Sequence, residues 1–181
     1  MIVNLNKKLV ELNVIAAKKC DADNYNYLFI MAKNGYIYTI STDMYVLLFC
    51  KHDKTDLPED KMYQIPMKSV EEYIKQAKDQ FTLSFELTNN DLMINPKPFF
   101  KMVPDELKLN SFDYMKYQIR SKHLEKILKI NNKLGKNSDV YFYPYRDSHL
   151  IFVRFNQNND IFGVVSAYEV PDELASSSLS V

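Results

Sequence analysis

The side chains able to do chemistry in this 181-residue chain are few and scattered. His52, His123 and His149 stand apart from one another and from both cysteines in any motif spacing, so neither a zinc site nor a nucleophile–base pair is written there. Cys20 and Cys50 have no CxxC or Cys/His spacing and read as reduced, partly buried thiols. Ser41 and Ser166 lack a surrounding elbow of glycines, and with 3 glycines in the chain there is no phosphate-cradling loop. Asp21 and Asp23 read as a helix-terminating turn, because a cation site needs further carboxylates. The expectation is a non-enzymatic protein with no catalytic residue, no cofactor and no metal.

Positive charge is the one chemical feature with a pattern. The 23 basic and 23 acidic residues cancel, which argues against a protein that coats a polyanion by bulk charge. Their distribution is uneven. Over 6–19, Lys7, Lys8, Lys18 and Lys19 against Glu11 leave a net +3, and over 121–136, Lys122, Lys126, Lys129, Lys133 and Lys136 against Glu125 leave +4. Over 68–79 the charges cancel. The steps of four and three from Lys122 to Lys136 place one lysine stripe along one helix face. Such a stripe tracks a phosphate backbone without reading bases, so binding through it is weak, non-specific and salt-dependent. Lysine also crowds exposed helices and favours their C-terminal ends, and that reading stands beside the first. His123, within the stripe, reads as solvated or nucleic-acid-facing. Arg120, Arg146 and Arg154 form no base-reading set. Tyr141, Phe142, Tyr143 and Tyr145 suit either a stacking platform for single-stranded bases or a strand with a core face and a covering face.

The elements that hold these residues follow from periodicity. Hydrophobic residues at 46% and charged residues at 25% describe an ordinary globular chain. The longest apolar run, 44–50, is too short to cross a bilayer, and Asn4, Asn6, Lys7 and Lys8 interrupt any signal-like start, so a cytoplasmic protein with no membrane partner is expected. Abundant Tyr and Phe with few Gly and no Trp suggest an AT-rich coding sequence. Helical spacing predicts a helix over 6–19, capped by Asn4 or Asn6. Period two then predicts strands over 27–31 and 36–40 about an Asn34-Gly35 turn, a third over 44–50, and a short strand at 62–66. A second helix follows, capped by Ser69 and ending near Lys78. Strands are expected at 81–87, 92–94 and 99–103, then at 114–119. A third helix starts at a Ser121 cap and closes at Gly135 in the left-handed conformation, with strands at 140–145, 149–156 and 161–168 after it. The stretch 63–65, its helix and the strand from 81 align with 117–119, its helix and the strand from 140, an internal repeat.

Two stretches carry a family resemblance. The run 28–43, Leu-Phe-Ile-Met-Ala-Lys-Asn-Gly-Tyr-Ile-Tyr-Thr-Ile-Ser-Thr-Asp, is similar to the strand, Gly-ended turn, strand and Thr-Asp corner of DNA sliding clamps of the bacterial polymerase III beta subunit type. The run from Ile65 to Lys75 resembles that family's strand-to-helix junction, and 161–170 its closing strand. The resemblance implies an α+β fold of antiparallel sheets with helices on one face, a complete clamp-like domain over 1–104 and a shortened second one over 105–170, while the small residues from Ala175 to Ser178 give the expectation of a disordered tail over 171–181. About one and a half such domains, against the family's three, suits a reduced, phage-encoded relative.

The function so implied is that of a replication or recombination accessory protein. It binds duplex DNA through Lys7, Lys8, Lys18, Lys19, Lys122, Lys126, Lys129, Lys133 and Lys136. It docks a polymerase or other replication protein through an apolar peptide near Phe99, Phe100, Met102, Val164, Val165 and Tyr168, and it is able to form a homo-oligomer. The alternatives are a non-ring clamp-fold protein that modulates host replication machinery and a structural virion component.

Overall fold

A computed structural model describes residues 1–18, 26–59, 61–87, 117–135, 138–144, 149–155 and 160–169. Its first element is a strand that helical spacing in the neighbouring residues conceals. Ile2–Asn6 (β1) buries Val3 and Leu5 and exposes the residues between them. It passes with no loop residue into the helix Lys7–Ala17 (α1). The same passage recurs from Met62–Pro66 (β5) into Met67–Gln76 (α2). With only Ile119 and Arg120 intervening, it recurs again from Tyr117–Gln118 (β7) into Ser121–Leu134 (α3). Between these units run Tyr27–Lys33 (β2), Tyr36–Thr42 (β3), Val46–Lys54 (β4) and Thr82–Glu86 (β6), and after α3 come Val140–Pro144 (β8), Leu150–Phe155 (β9), Ile161–Ser166 (β10) and Tyr168–Glu169 (β11).

The helix ends correct several expectations. Asn6, not Asn4, caps α1, its side chain accepting the N–H groups of Lys8 and Leu9 at 3.0 and 3.4 Å. Ser69 caps nothing: α2 begins two residues earlier, with Pro66 at its cap position and no side-chain bond there. Ser121 is likewise the first helical residue, and Arg120 holds the cap position. Gly135 has φ 176, extended backbone rather than the left-handed turn expected. Asn34 and Gly35, at φ 52 and 71, make the tight hairpin their types call for. β4 runs on to Lys54, beyond the expected end at Cys50, because Lys54 still pairs with Tyr36. The strands expected at 92–94 and 99–103 lie outside the described residues.

The sheets show how the units interlock. A seven-stranded antiparallel sheet has the order β5-β2-β3-β4-β10-β9-β8, and the pairs β1-β6 and β7-β11 stand apart from it. The strand before each of the first two helices pairs with the strand after the other helix: β1 with β6, β5 with β2. The junctions match in detail, since the first helical N–H of α1 bonds Phe81 O at 2.9 Å and that of α2 bonds Asn26 O at 3.0 Å. β4 meets β10 along a seam from Ile161↔Cys50 to Val165↔Val46. Gly163 allows this close approach, for a Cβ there would lie 3.2 Å from the Leu47 carbonyl oxygen.

Strand alternation gives the large sheet two buried faces. Leu28, Ile30, Val46, Leu48, Val153 and Val165 turn toward the helices and meet Val10, Leu12 and Ala16 of α1, Val70 of α2, and Ile127 and Ile130 of α3. Phe29, Met31, Tyr38, Ile40, Phe49, Met62 and Val164 fill the opposite face. Each such large side chain, once buried, contributes roughly 1.5–3 kcal/mol.

A polar chain runs through this core. The backbone N–H of Asn6 donates to His52 Nδ1 at 3.1 Å, which leaves the imidazole proton on Nε2 to be donated to Thr39 Oγ1 at 2.8 Å. Thr39 Oγ1 then donates to Asn13 Oδ1 at 2.7 Å, and Asn13 Nδ2 to Ser41 Oγ at 3.1 Å. Every buried member has a partner, as low dielectric demands. Burial pushes the His52 pKa from the ordinary 6.5 to about 4. Between those values the unfolded chain takes up a proton that the folded chain refuses, so stability falls as pH drops through that window, by about 3 kcal/mol in full. Chemical denaturation at pH 7 and pH 4 should show this loss in the parent and a smaller one in His52→Gln; equal losses would contradict the assignment.

Candidate nucleic-acid interface

The three helices lie side by side with α1 in the middle, and lysines fasten them. Lys7 Nζ donates to Ala77 O at 2.7 Å and Lys78 O at 3.0 Å, so the start of α1 meets the end of α2. Lys8 Nζ reaches Leu134 O, at the end of α3, at 3.5 Å. Lys126 Nζ donates to Ala16 O, near the end of α1, at 3.0 Å. Both neighbours of α1 are therefore antiparallel to it. Each ammonium lands on carbonyls that a helix end leaves without an intrahelical partner, where the dipole is negative.

Lys126 is also ion-paired to Asp43 at a largely buried site, the two side chains being 14% and 8% exposed. Asp43 is the corner residue after β3, and its other oxygen accepts the N–H groups of Tyr45 and Val46 at 3.0 and 2.7 Å. The corner is tight, with Met44 at φ 79. Tyr45 stacks on His123 of α3, with centroids 4.8 Å apart, and Lys122 Nζ lies 4.9 Å above the Tyr45 ring. This joins the corner of the first unit to the helix of the third.

The expectation for the lysines divides on these contacts. Lys126 leaves the stripe, turned inward by Asp43, and Lys7 and Lys8 are engaged with neighbouring helix ends. Lys18, Lys122, Lys129 and Lys133 are exposed. Lys129 lies 3.6 Å from Glu125, both side chains more than half exposed, a pair that holds neither residue firmly. Lys18 and Lys133 make no hydrogen bond or ion pair among the described residues. Lys19 and Lys136 lie outside them.

His123 corrects its expectation. It is buried, not solvated, and its Nε2 has no partner among the described residues. Burial lowers its pKa first, and Lys122, Lys126 and Arg120 lower it further while Asp43 opposes them. Cys50 is wholly buried rather than partly so, its thiol donating to Leu9 O at 3.7 Å, and burial pushes its pKa up. Cys20 lies outside the described residues, and among them no cluster of metal-ligating groups occurs.

Of the expected docking residues, only Val164 and Val165 have described side chains. Val164 and Val165 are adjacent on β10 and point to opposite faces, Val164 into the outer cluster and Val165 toward the helices, and both are buried. The two-residue period of the strand sends them to opposite faces. The Tyr168 backbone pairs with Gln118. Phe99, Phe100 and Met102 lie outside the described residues. Tyr141 is exposed beside Tyr143, centroids 6.4 Å apart, while Phe142 packs toward the helices, so the aromatic run has one covering face and one core face. Spacing also gave no sign of a cavity of about 630 Å³ between the start of α1, the β3–β4 hairpin and the end of α3, lined by Lys8, Lys51, Lys54, His52, Asp53 and Asp160.

The architecture now has known counterparts. No protein-family model matches the sequence, and no curated protein does. Among solved structures, the chain is similar to the DNA polymerase III subunit beta of Pseudomonas aeruginosa, with a TM-score of 0.63 at 13% identity over 94% of this chain and 66% of that one. It is similar to a putative DNA polymerase III beta subunit from Eubacterium rectale, with 0.63 at 14% identity over 98% and 69%. It is also similar to the Helicobacter pylori beta clamp bound to a DNA ligase peptide, with 0.60 at 11% identity over 93% and 66%. The chain has the sliding-clamp fold: antiparallel sheets carrying helices on one face. It spans 66% of the length of the first of these clamps.

The division among the lysines has a measurable consequence. Lys126→Ala leaves Asp43 buried without its partner and should lower stability by about 3 kcal/mol in urea unfolding. Lys133→Ala should stay within about 0.5 kcal/mol of the parent. Similar losses for both would show that Lys126 is no seam residue.

Proposed function

We propose that this chain is a non-enzymatic replication or recombination accessory protein that lays its helical layer along duplex DNA. The observation that carries the reading is the combination of a sliding-clamp fold with a helical layer on which Lys18, at the end of α1, and Lys122, Lys129 and Lys133 of α3 are exposed and claimed by no helix end or buried carboxylate. Lys19 and Lys136 belong to the same proposal from sequence alone. The charges of α2 balance, Lys68 and Lys75 against Glu71 and Glu72, so contact centres on α1 and α3. Such contact neutralises phosphates and reads no bases.

The reading includes a cytoplasmic, phage-type setting and docking of a replication protein. Among the described residues no helix is long and apolar enough to cross a membrane. The Helicobacter pylori counterpart holds a DNA ligase peptide, which supports docking as a property to seek here. The division at 1–104 and 105–170 is part of the same proposal.

Fluorescence anisotropy with a labelled random-sequence duplex tests it. Binding should weaken linearly on a log–log salt plot, and each lysine removed from the set of four should reduce the slope by about 0.9. The quadruple Glu variant should lose binding while keeping its circular dichroism spectrum. A quadruple variant that binds like the parent would overturn the reading.

A further inference from the structure

A titratable ring sits in the joint between α3 and the corner after β3. His123 is 1% exposed and lies flat on Tyr45, with centroids 4.8 Å apart and planes 25° from parallel. Its Nε2 has no hydrogen-bond partner among the described residues. His52, also buried, differs: both of its ring nitrogens are engaged in the polar chain, and it lies on β4, away from this joint.

The charges around the His123 ring decide what a proton meets there. From α3 and the residue before it come Lys122, Lys126 and Arg120, and from the corner comes Asp43. From α1 the Ala16 carbonyl faces the group, bonded by Lys126 Nζ at 3.0 Å, and from β10 the Ser166 N–H donates to Tyr45 O at 2.8 Å. Asp43 is already committed. One of its oxygens takes Lys126, and the other accepts the N–H groups of Tyr45 and Val46. The face of the Tyr45 ring attracts cations, but the Lys122 ammonium already lies 4.9 Å from its centroid.

Neutral imidazole therefore stacks there as an apolar ring would. Imidazolium instead adds a positive charge to a buried cluster that sets three cations against one carboxylate. The backbone seam is built differently. From Ile161↔Cys50 to Val165↔Val46 it carries no group that takes up a proton between pH 5 and 8, since burial pushes the Cys50 thiol upward.

We propose that His123 is a proton-sensitive latch: on taking up a proton it releases α3 from the Tyr45 corner, while the β4–β10 seam keeps the third unit attached. Burial foremost, and then the three cations against the pull of Asp43, keep the His123 pKa below the ordinary 6.5. The closed form favours the neutral ring, so the latch holds fully above pH 6.5 and weakens as pH falls below it. With 6.5 for the released ring, a drop from pH 7.5 to 5.5 raises the opening constant by at most about tenfold. The latch rests on packing and charge, and is independent of any DNA contact.

Hydrogen exchange on the full chain, corrected for the intrinsic pH dependence of amide exchange, measures this opening. The amides to follow are those of α3 that exchange faster than the β2 and β3 core, because they report local opening rather than global unfolding. Their opening constant should rise several-fold between pH 7.5 and 5.5 in the parent. His123→Phe, which keeps a ring on Tyr45 but takes up no proton, should show no such rise. Lys122→Gln, at an exposed position, removes one opposing cation and should show a smaller rise than the parent. The His123 ring signals in NMR should titrate below 6.5 in the parent and move upward in Lys122→Gln. Should circular dichroism show that the Phe variant does not fold, the Lys122→Gln comparison and the NMR titration decide. A pH-independent opening in the parent, α3 amides that open only with the core, a parent-like rise in either variant, or a His123 that titrates at or above 6.5 would overturn the proposal.

Discussion

The constraint on which the rest of this structure depends is that its strands run into its helices without a turn. Asn6 pairs in β1 and Lys7 opens α1; Pro66 pairs in β5 and Met67 opens α2. A helix that packs back over its own sheet ordinarily follows a loop of a few residues, and here there is none. The strand before each helix is consequently delivered to a different sheet from the strand after it, and reciprocal exchange with another unit satisfies its hydrogen bonds. From this come the paired sheets, the antiparallel helices and the even-handed core between α1 and α2.

The seam between β4 and β10 solves a different problem, that of attaching a third unit to a body already complete. Backbone pairing supplies the join, and Gly163 permits its closeness. Side chains then fix the angle of α3: Lys126 reaches across to Asp43 and Ala16, and His123 lies flat on Tyr45. A buried ion pair is weak evidence for net stability, because desolvation offsets attraction, but losing one partner is costly. The pair is better understood as setting how the third unit sits than as holding the fold together. It also explains why a lysine stripe that is regular in sequence is interrupted in space.

Much of the fold was legible because its strands are short apolar and aromatic runs bounded by turn residues and its hairpin carries Asn34-Gly35, whose types call for a tight turn. The family resemblance rested on that same hairpin and the Thr42-Asp43 corner, and the architecture bears it out. β1 was not legible: five residues, two of them buried, adjoin a helix whose own spacing dominates the window. The misplaced caps have one cause. Residue type points to Ser69 and Ser121, but β5 runs straight into α2 and leaves the cap position to its own last residue, Pro66, and the two-residue passage from β7 leaves that of α3 to Arg120. The candidate interface was half legible. Spacing identifies which lysines share a helix face, but whether a neighbouring helix end or a buried carboxylate claims one of them depends on tertiary contacts, as for Lys7 and Lys126. His123 failed for the same reason, since Tyr45 comes from a distant corner.

The central claim is that the exposed lysines of α1 and α3 form one surface that meets duplex DNA. Amine acetylation read residue by residue by mass spectrometry, with and without duplex, tests it most directly. Lys18, Lys122, Lys129 and Lys133 should lose reactivity in the presence of DNA, while the exposed Lys54 and Lys61 keep theirs. Protection spread evenly over all six, or confined to Lys54 and Lys61, would contradict it.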